Sequence, residues 1–272
     1  MRTMFLGDIV GRAGRDIVLA NVGRLRSQLK LDFVVANGEN AAHGFGISDK
    51  ICDELLDAGV DVVTGGNHSW DRSEIIDYIE TEPRLLRPAN FPSGTPGRGV
   101  GVFETKGGHR VLVINVMCRL FMELLDNPFD ALERALPEGT PAESGFDFVL
   151  IDSHGEATSE KYAIGHFSDG RASLVVGTHT HVPTGDAHVL AGGTAYQTDA
   201  GMCGDYDSVI GMQKEGSLDR FLGRLPRPRM SPAEGEATLC GCVVETDPKT
   251  GLAVSIEPVR VGGHLRAAWP AA

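Results

Sequence analysis

The chain has 272 residues, of which 42% are hydrophobic and 23% are charged, and its formal net charge is −12. A chain of this length can bury a sizeable core within one large α/β domain. The negative charge argues against a long nucleic-acid polymer held along a basic groove. It does not exclude a nucleotide-sized substrate, because bound metal ions can supply local positive charge.

The start of the chain and its cysteines indicate the compartment. Met1–Leu6 runs directly into Gly7-Asp8, and the longest apolar runs have the length of strands, so we predict neither a signal peptide nor a membrane span. Five cysteines without a framework spacing predict a cytoplasmic protein in which they are small buried core residues. Cys240 and Cys242 share one face of a strand, so a disulfide or zinc site there is the alternative. The oligomeric state stays open, with a homo-oligomer as one alternative.

Short β-branched runs recur along the chain, each followed by glycine or a polar cluster and then by an amphipathic stretch. These runs predict nine strands. In chain order they are Thr3–Leu6, Phe33–Ala36, Val60–Thr64, Arg110–Val116, Phe146–Ile151, Leu174–Val176, Thr194–Thr198, Thr238–Glu245 and Leu252–Val261.

Apolar spacing and capping residues predict the helices. The first helix is expected from Arg15 to Lys30, because its apolar residues recur at helical spacing. Ser48 is a predicted N-cap, and Gly59 is the predicted residue that ends the same helix. Asn127-Pro128 opens another helix, since a capping residue followed by proline is typical of a helix start.

The order of these elements predicts the fold class. The front half alternates strand and helix, whereas the last part reads as strands joined by turns, which favours sheets with helices on their outer faces and an antiparallel finish. The segments Arg87–Gly101 and Leu225–Gly235 are predicted surface loops, and neither separates two self-sufficient cores. We therefore expect a single domain over residues 1–272.

Residue types that bind metal ions follow five of the predicted strands. In chain order they are Asp8, then Glu39 and Asn40, then Asn67 with His68 beside it, then His154, and finally His179 and His181. A lone Gly-Asp or Gly-Asn-His would indicate only a turn. Ligands bind outside the carboxyl ends of the strands of an α/β sheet, so repetition at five strand ends predicts one metal-binding crevice.

The mixture of ligands points to two metal ions. Oxygen donors combined with imidazoles suit Mn, Fe or Zn rather than an all-oxygen Ca²⁺ site. Seven ligands are too many for one open catalytic ion and suit two ions that share a carboxylate. Such a pair clamps the attacking and leaving oxygens at phosphorus and lowers the pKa of bound water. Acyl transfer by a serine fits less well, since the sequence has no Gly-x-Ser-x-Gly elbow.

This ordered set resembles the calcineurin-like metallophosphoesterases. Three blocks narrow the resemblance to the YmdB-type branch, which is related to bacterial 2′,3′-cyclic-nucleotide phosphodiesterases. The blocks are Gly7–Gly11, Asn37–Ala42 and Thr198–Gly204. The chain departs from the general pattern at two positions, with Val10 where a histidine ligand is expected and Glu39 where the bridging residue is usually Asp. Both changes recur in the YmdB-type branch.

The resemblance implies a fold and a set of roles. The fold would be a four-layer metallophosphoesterase sandwich of the α/β class, with two mixed β-sheets flanked by helices. The first metal would be held by Asp8, Glu39, Asn40 and His181. The second would be held by Glu39, Asn67, His154 and His179, with Glu39 bridging the two ions. His68 would stand free of the metals, near the leaving oxygen.

Val10 leaves the first ion one donor short. We therefore predict that the amide oxygen of Asn40 fills that place, with an Asx-type turn at Asn40 as the alternative. The roles of His43, Arg12 and the Asp205–Ser208 loop are not assigned by the sequence.

The resemblance also implies a function, namely a dinuclear metal-dependent phosphodiesterase that hydrolyses cyclic nucleotides. The expected substrates are 2′,3′-cyclic nucleoside monophosphates, attacked by a metal-bridging hydroxide. The expected cofactors are two divalent metal ions, Fe or Mn, with Zn or Mg as alternatives, and the expected partner is a small nucleotide. A broad-specificity phosphomonoesterase and a regulatory RNA- or protein-binding factor with a vestigial metal site are the alternatives.

Overall fold

The computed structural model describes residues 1–226 and 229–270. The strands are β1 (Arg2–Leu6), β2 (Asp8–Ile9), β3 (Phe33–Asn37), β4 (Val62–Thr64), β5 (Val100–Glu104), β6 (Arg110–Met117), β7 (Phe148–His154), β8 (Leu174–Thr178), β9 (His188–Val189), β10 (Ala195–Gln197), β11 (Met202–Asp205), β12 (Ala237–Thr246) and β13 (Ala253–Val261). The helices are α1 (Gly11–Gln28), α2 (Asp49–Ala58), α3 (Ile75–Thr81), α4 (Pro128–Ala135), α5 (Thr158–Phe167) and α6 (Lys214–Phe221).

These strands form two mixed sheets. The first has the order β2-β11-β12-β1-β3-β4, and β13 pairs with β12 beside it. The second has the order β5-β6-β7-β8-β10-β9. β1, β3 and β4 run parallel, as do β6, β7, β8 and β10, so the carboxyl ends of each group lie along one edge of its sheet. The predicted antiparallel finish is confirmed, because β12 and β13 are antiparallel.

The two sheets pack face to face through an apolar core, to which Phe5, Val35 and Phe148 belong. The other face of the first sheet is covered by α1 and α2, which contribute buried residues such as Val22 and Leu55. The helices α4 and α5 cover the outer face of the second sheet. The structure therefore confirms the four-layer sandwich of two mixed sheets flanked by helices.

The first helix begins earlier than predicted, at Gly11 rather than Arg15, and it ends at Gln28. The glycines at its start indicate a turn when read alone. In the structure Gly14 permits a close approach to β11, because a Cβ on this residue would lie 2.1 Å from the carbonyl oxygen of Cys203. The packing of α1 against β11 therefore explains the glycine in this first turn, and the sequence pattern alone does not reveal that packing.

The predicted helix caps are confirmed. Ser48 Oγ accepts a hydrogen bond from the backbone N–H of Ile51 at 3.3 Å, and the helix ends at Gly59 with φ of 115°. Asn127 Oδ1 accepts from the backbone N–H of Phe129 at 3.0 Å at the start of α4.

The prediction of a surface loop over Arg87–Gly101 is partly wrong, because β5 begins at Val100 and Arg87 is buried, with 8% of its surface exposed. The chain wraps around the guanidinium of Arg87, which donates to the carbonyl oxygens of Pro96, at 3.0 Å, and Thr95, at 3.1 Å. Burying an arginine in this way is tolerated because its donors are satisfied.

The second predicted loop, Leu225–Gly235, includes residues 227 and 228, which lie outside the described residues. It too differs from a surface loop, since Pro232 and Ala233 are buried and the N–H of Ala233 donates to the carbonyl oxygen of Gly211 at 2.8 Å.

All five cysteines are buried and unpaired, as predicted. Among residues 1–226 and 229–270, no helix has the length and apolar character needed to span a bilayer.

Candidate metal centre

The side chains predicted as metal ligands meet where the carboxyl ends of strands from both sheets converge. Asp8 lies in β2, His154 ends β7, and the other residues lie in the loops directly after β3, β4 and β8: Glu39, Asn40, Asn67, His179 and His181.

His154 lies at the centre of this cluster and is fully buried. Its Nε2 atom lies 3.2 Å from Glu39 Oε1, 2.9 Å from Asn67 Oδ1 and 3.2 Å from His179 Nδ1. One ring nitrogen, with at most one proton, therefore faces three atoms that carry lone pairs. The ligand atoms of Glu39, His154 and His179 all lie within 4.8 Å of one another. A divalent cation would satisfy all of these donors at once.

Asp8, Asn40 and His181 lie on the other side of Glu39. His181 Nε2 is 3.9 Å from Asp8 Oδ1 and 3.1 Å from Asn40 Nδ2, while Asn40 Nδ2 is 3.2 Å from Glu39 Oε1. The amide of Asn40 thus joins the two halves of the cluster.

The amide nitrogen, rather than the amide oxygen, of Asn40 faces His181 in this arrangement. A half turn of the amide exchanges the two atoms, which have nearly the same shape. An Asx-type turn is formed by Asn37 instead, whose Oδ1 accepts from the backbone N–H of Glu39 at 3.1 Å. The assignment of Asn40 as an oxygen ligand stays a prediction.

The tautomer of His154 is fixed by two hydroxyl contacts. His154 Nδ1 lies 2.9 Å from Thr178 Oγ1, and the Thr178 hydroxyl donates its proton to Asp152 Oδ1 at 2.7 Å. The hydroxyl oxygen must therefore accept from the Nδ1–H of His154. This contact leaves the lone pair of Nε2 directed into the cluster, as a metal-binding imidazole requires.

The other two histidines are oriented in a similar way. His181 Nδ1 lies 2.8 Å from the carbonyl oxygen of Ile210, which can only accept, so Nε2 carries the free lone pair. His179 Nε2 faces Glu156 Oε2 at 3.3 Å, and its Nδ1 faces His154. Each of the three imidazoles has one nitrogen next to an acceptor outside the cluster and the other directed inward. The donor set therefore fits a metal centre.

Charge within the cluster is balanced by protons. Burial would raise the pKa of Glu39, but the neighbouring His154 outweighs it and lowers the pKa to about 2. Burial acts against a charged His154, yet Glu39 raises its pKa to about 9. Burial raises the pKa of Asp8 to about 6. A divalent cation would replace the proton on His154 as the partner of these buried carboxylates.

Gly66 leaves room for this arrangement. A Cβ at this position would lie 2.3 Å from Glu39 Oε2 and 2.4 Å from His154 Nε2. The glycine before Asn67 is thus required by the close approach of the backbone to the cluster.

His68 stands at the rim and makes different contacts. Its Nδ1 lies 2.8 Å from Asp71 Oδ2, its backbone N–H donates to Glu39 Oε2 at 3.0 Å, and its ring lies edge-on to Phe45. Asp71 holds the proton on Nδ1, so Nε2 is the nitrogen that can exchange a proton with a bound molecule. His68 lines a cavity of ≈ 510 Å³, together with Glu39 and His179.

Sequence reasoning missed the residues that support these ligands. Asp152 is fully buried, and it accepts hydrogen bonds from Asn37, Thr64 and Thr178. Its signal is an acidic residue directly after the apolar run Phe148–Ile151 of β7. Asp71, three residues after His68, gives no comparable signal because it lies in an exposed turn.

A buried ion pair holds the loop that carries His179 and His181. Lys161 Nζ lies 2.9 Å from Asp199 Oδ2 and donates to the carbonyl oxygen of Thr178 at 2.7 Å. The same carboxylate oxygen of Asp199 accepts from the backbone N–H and the hydroxyl of Thr180, at 3.1 and 2.8 Å. Both histidines adopt the left-handed region, with φ of 96° and 65°. These contacts stabilise a loop conformation that is uncommon for residues other than glycine.

The remaining residues left open by the sequence lie around the cavity or apart from it. Arg12 is exposed and lines a shallow surface cavity on the side of α1. In the Asp205–Ser208 loop, Asp205 accepts from the backbone N–H groups of Asp207 and Gly235 at 2.8 and 2.9 Å, so it shapes the loop. His43 lines a second cavity beyond Phe45.

Two sequence matches span most of the chain. The sequence model of the YmdB-like proteins matches residues 4–259. A Bacillus subtilis protein named 2′,3′-cyclic-nucleotide 2′-phosphodiesterase is 47% identical over 261 residues, covering 96% of this chain and 97% of that protein.

Two solved structures are similar along nearly the whole chain. A hypothetical protein from Thermus thermophilus has a TM-score of 0.88 at 44% identity, covering 97% of this chain and 100% of that one. A phosphatase from Mycoplasma pneumoniae has a TM-score of 0.86 at 33% identity, covering 96% and 93%.

Glu39→Ala is expected to remove more metal than the loss of a ligand at the edge, such as Asn67→Ala. A bridging Glu39 would hold both ions and offset their mutual repulsion, whereas Asn67 would serve one ion. Metal content per chain, measured by plasma mass spectrometry on folded protein, checks this. We expect Asn67→Ala to keep about one ion. Two ions retained by Glu39→Ala would exclude the bridging role.

Thr178→Val should weaken metal binding by about 10–100-fold, because His154 loses the acceptor that fixes its tautomer. The variant keeps the shape of the side chain. Thr3→Val is the matched control, since the Thr3 hydroxyl is buried and has no hydrogen-bond partner among the described residues. Competition with a chelating dye measures the affinity. Equal affinities in the two variants would contradict the role of the Thr178 hydroxyl in orienting His154.

Proposed function

Because the chain belongs to the YmdB-like family of metallophosphoesterases, we propose that it is a dinuclear metal-dependent phosphodiesterase acting on 2′,3′-cyclic nucleoside monophosphates. The observation that carries this proposal is the convergence of three lone-pair atoms on His154 Nε2, with the other ring nitrogen fixed by Thr178. The Bacillus subtilis relative, named 2′,3′-cyclic-nucleotide 2′-phosphodiesterase and matching 96% of this chain, supports the substrate class.

The predicted ligands divide into two sets that share Glu39. Asp8, Asn40 and His181 lie on one side of this carboxylate, and Asn67, His154 and His179 lie on the other. When bound, two divalent ions would polarise the phosphoryl group and make hydroxide available near neutral pH. Mixed nitrogen and oxygen donors favour Mn or Fe, and Zn or Mg are the alternatives.

His68 is proposed as the general acid. In hydrolysis of a 2′,3′-cyclic phosphate, water adds to phosphorus, the bond between phosphorus and O2′ breaks, and O2′ takes up a proton. His68 Nε2 can deliver that proton, because Asp71 accepts a hydrogen bond from Nδ1–H and leaves Nε2 facing the cavity. The side chain is 28% exposed, so it can regain a proton from solvent after turnover.

The cavity beside the cluster suits a small nucleotide. Its volume of ≈ 510 Å³ lies within the range of sites for drug-sized molecules. Arg220 from α6 also lines it and provides a cation for an anionic substrate. The expected setting is the cytoplasm, with a free nucleotide as substrate.

A matched substrate panel tests the proposal. Protein stripped of metal with a chelator should have no activity, and Mn²⁺ or Fe²⁺ should restore hydrolysis of 2′,3′-cyclic AMP better than Ca²⁺, since imidazole donors disfavour Ca²⁺. The ratio of kcat/KM for 2′,3′-cyclic AMP to that for 3′-AMP should exceed about ten, a difference of 1.4 kcal/mol in transition-state binding. Preference for 3′-AMP would favour a phosphomonoesterase, and full activity without metal would exclude the dinuclear mechanism.

His68→Ala should lower kcat for 2′,3′-cyclic AMP by roughly 10²–10⁴-fold, the usual contribution of a positioned general acid. The metal content should stay near that of the unaltered protein, because His68 makes its ring contacts with Asp71 and Phe45 rather than with the ligand cluster. A control is His166→Ala, which alters a histidine on α5. Loss of both ions in His68→Ala would make this residue a ligand instead of an acid.

A further inference from the structure

A second cavity adjoins the one beside the metal cluster. It has a volume of ≈ 840 Å³, and its lining includes His43, Phe45, Arg72 and Arg229. Phe45 and Met230 line both cavities, so the two spaces are neighbours across these side chains. The first cavity alone is large enough for a mononucleotide. The second therefore provides room that a cyclic mononucleotide does not need.

The loop between the two cavities is held in one conformation. Arg72 donates to the carbonyl oxygen of Phe45 at 3.2 Å and to that of Ala42 at 2.8 Å, and Arg15 donates to the carbonyl oxygen of Ala41 at 2.5 Å. These arginines bind the backbone of the loop rather than its side chains. His43 is the exposed side chain among residues 41–45 of this loop, and it lines the second cavity.

His43 is held in an uncommon conformation within this loop. Its φ is 57°, in the left-handed region, between residues whose backbone groups bond back to the loop. Residues other than glycine rarely adopt this region, because it costs free energy that the surrounding contacts must offset. The exposed imidazole is thereby placed on the wall of the second cavity.

The position of His68 gives the direction of the substrate. If His68 protonates O2′, the ribose lies next to His68 and hence next to Phe45, whose ring is 5.1 Å from the His68 ring. A nucleotide joined to the 5′ side of that ribose can then reach past Phe45 into the second cavity, because Phe45 lines both spaces. An aromatic ring at this point can stack against a base.

The charges around the second cavity favour a short ligand. Arg72 and Arg229 are offset by Asp71 and Glu234, which line the same space. One arginine can bind one phosphodiester through charge-assisted hydrogen bonds. A long nucleic acid gains its affinity from many cations, which this balanced surface and the net charge of −12 do not supply.

We propose that the second cavity binds the nucleotide on the 5′ side of the one that carries the cyclic phosphate, so that the preferred substrate is a short RNA fragment ending in a 2′,3′-cyclic phosphate. Arg229 binds the connecting phosphodiester, and His43 contacts the same group or its sugar. This inference rests on the proposed function and extends it from mononucleotides to oligonucleotide ends.

The test compares two substrates on the Mn²⁺-loaded enzyme, namely adenosine 2′,3′-cyclic phosphate and the dinucleotide ApA with a 2′,3′-cyclic phosphate end. The dinucleotide should have at least about a tenfold higher kcat/KM, as expected for one added charge-assisted contact. Arg229→Ala should lower the ratio of the two kcat/KM values about tenfold. His43→Asn should also lower it, and asparagine tolerates the left-handed region, so the loop is preserved.

Arg224→Ala is the matched control, since this exposed arginine pairs with Asp219 and does not line the second cavity. It should leave the ratio unchanged. Equal kcat/KM for both substrates in the unaltered enzyme would overturn this inference alone, as would a ratio that neither Arg229→Ala nor His43→Asn alters. Hydrolysis of neither substrate would overturn the proposed function as well.

Discussion

The cluster of predicted metal ligands depends on one buried carboxylate that joins the two sheets through hydrogen bonds. Asp152, on β7 of the second sheet, accepts hydrogen bonds from Asn37 and Thr64 at the ends of β3 and β4 in the first sheet, at 3.1 and 2.5 Å. It also accepts from Thr178 on β8. Burial raises the pKa of Asp152, and these hydrogen bonds oppose that rise. A group that is this costly to bury keeps its place only because all of its partners are present.

The same contacts set the orientation of the ligands. The Thr178 hydroxyl donates to Asp152 and accepts from His154, so Asp152 fixes the orientation of His154 through Thr178. The Lys161–Asp199 pair holds the loop that carries His179 and His181 in the left-handed conformation. A metal site needs its imidazoles fixed before the ion arrives, because each lone pair must point inward. The supporting residues therefore decide the geometry of the centre as much as the ligands do.

Electrostatics explains how an acidic protein can act on anionic substrates. The buried carboxylates of Asp8 and Glu39 face histidines, and a divalent cation can take over the role of the proton on His154. Positive charge is then concentrated at the phosphoryl group instead of being spread over the surface. Such a localised charge differs from the broad basic groove with which a nucleic-acid-binding protein holds a polymer.

The sequence by itself determined the layers, most of the strands and the residues that meet at the cluster, because strand ends and their polar residues are local in the chain and parallel strands bring their carboxyl ends to one edge. It could not determine how those residues are supported. The contacts of Asp152 exist only after the two sheets have packed, and Lys161 meets partners that are 17 and 38 residues away along the chain. Asp71 contacts His68 locally, but an exposed turn gives no sign of that role. The early start of α1 depends on the approach of Gly14 to Cys203. The second cavity exists because the segments around residues 43 and 229 meet beyond Phe45. Such contacts join residues that are distant along the chain, so local sequence patterns do not predict them.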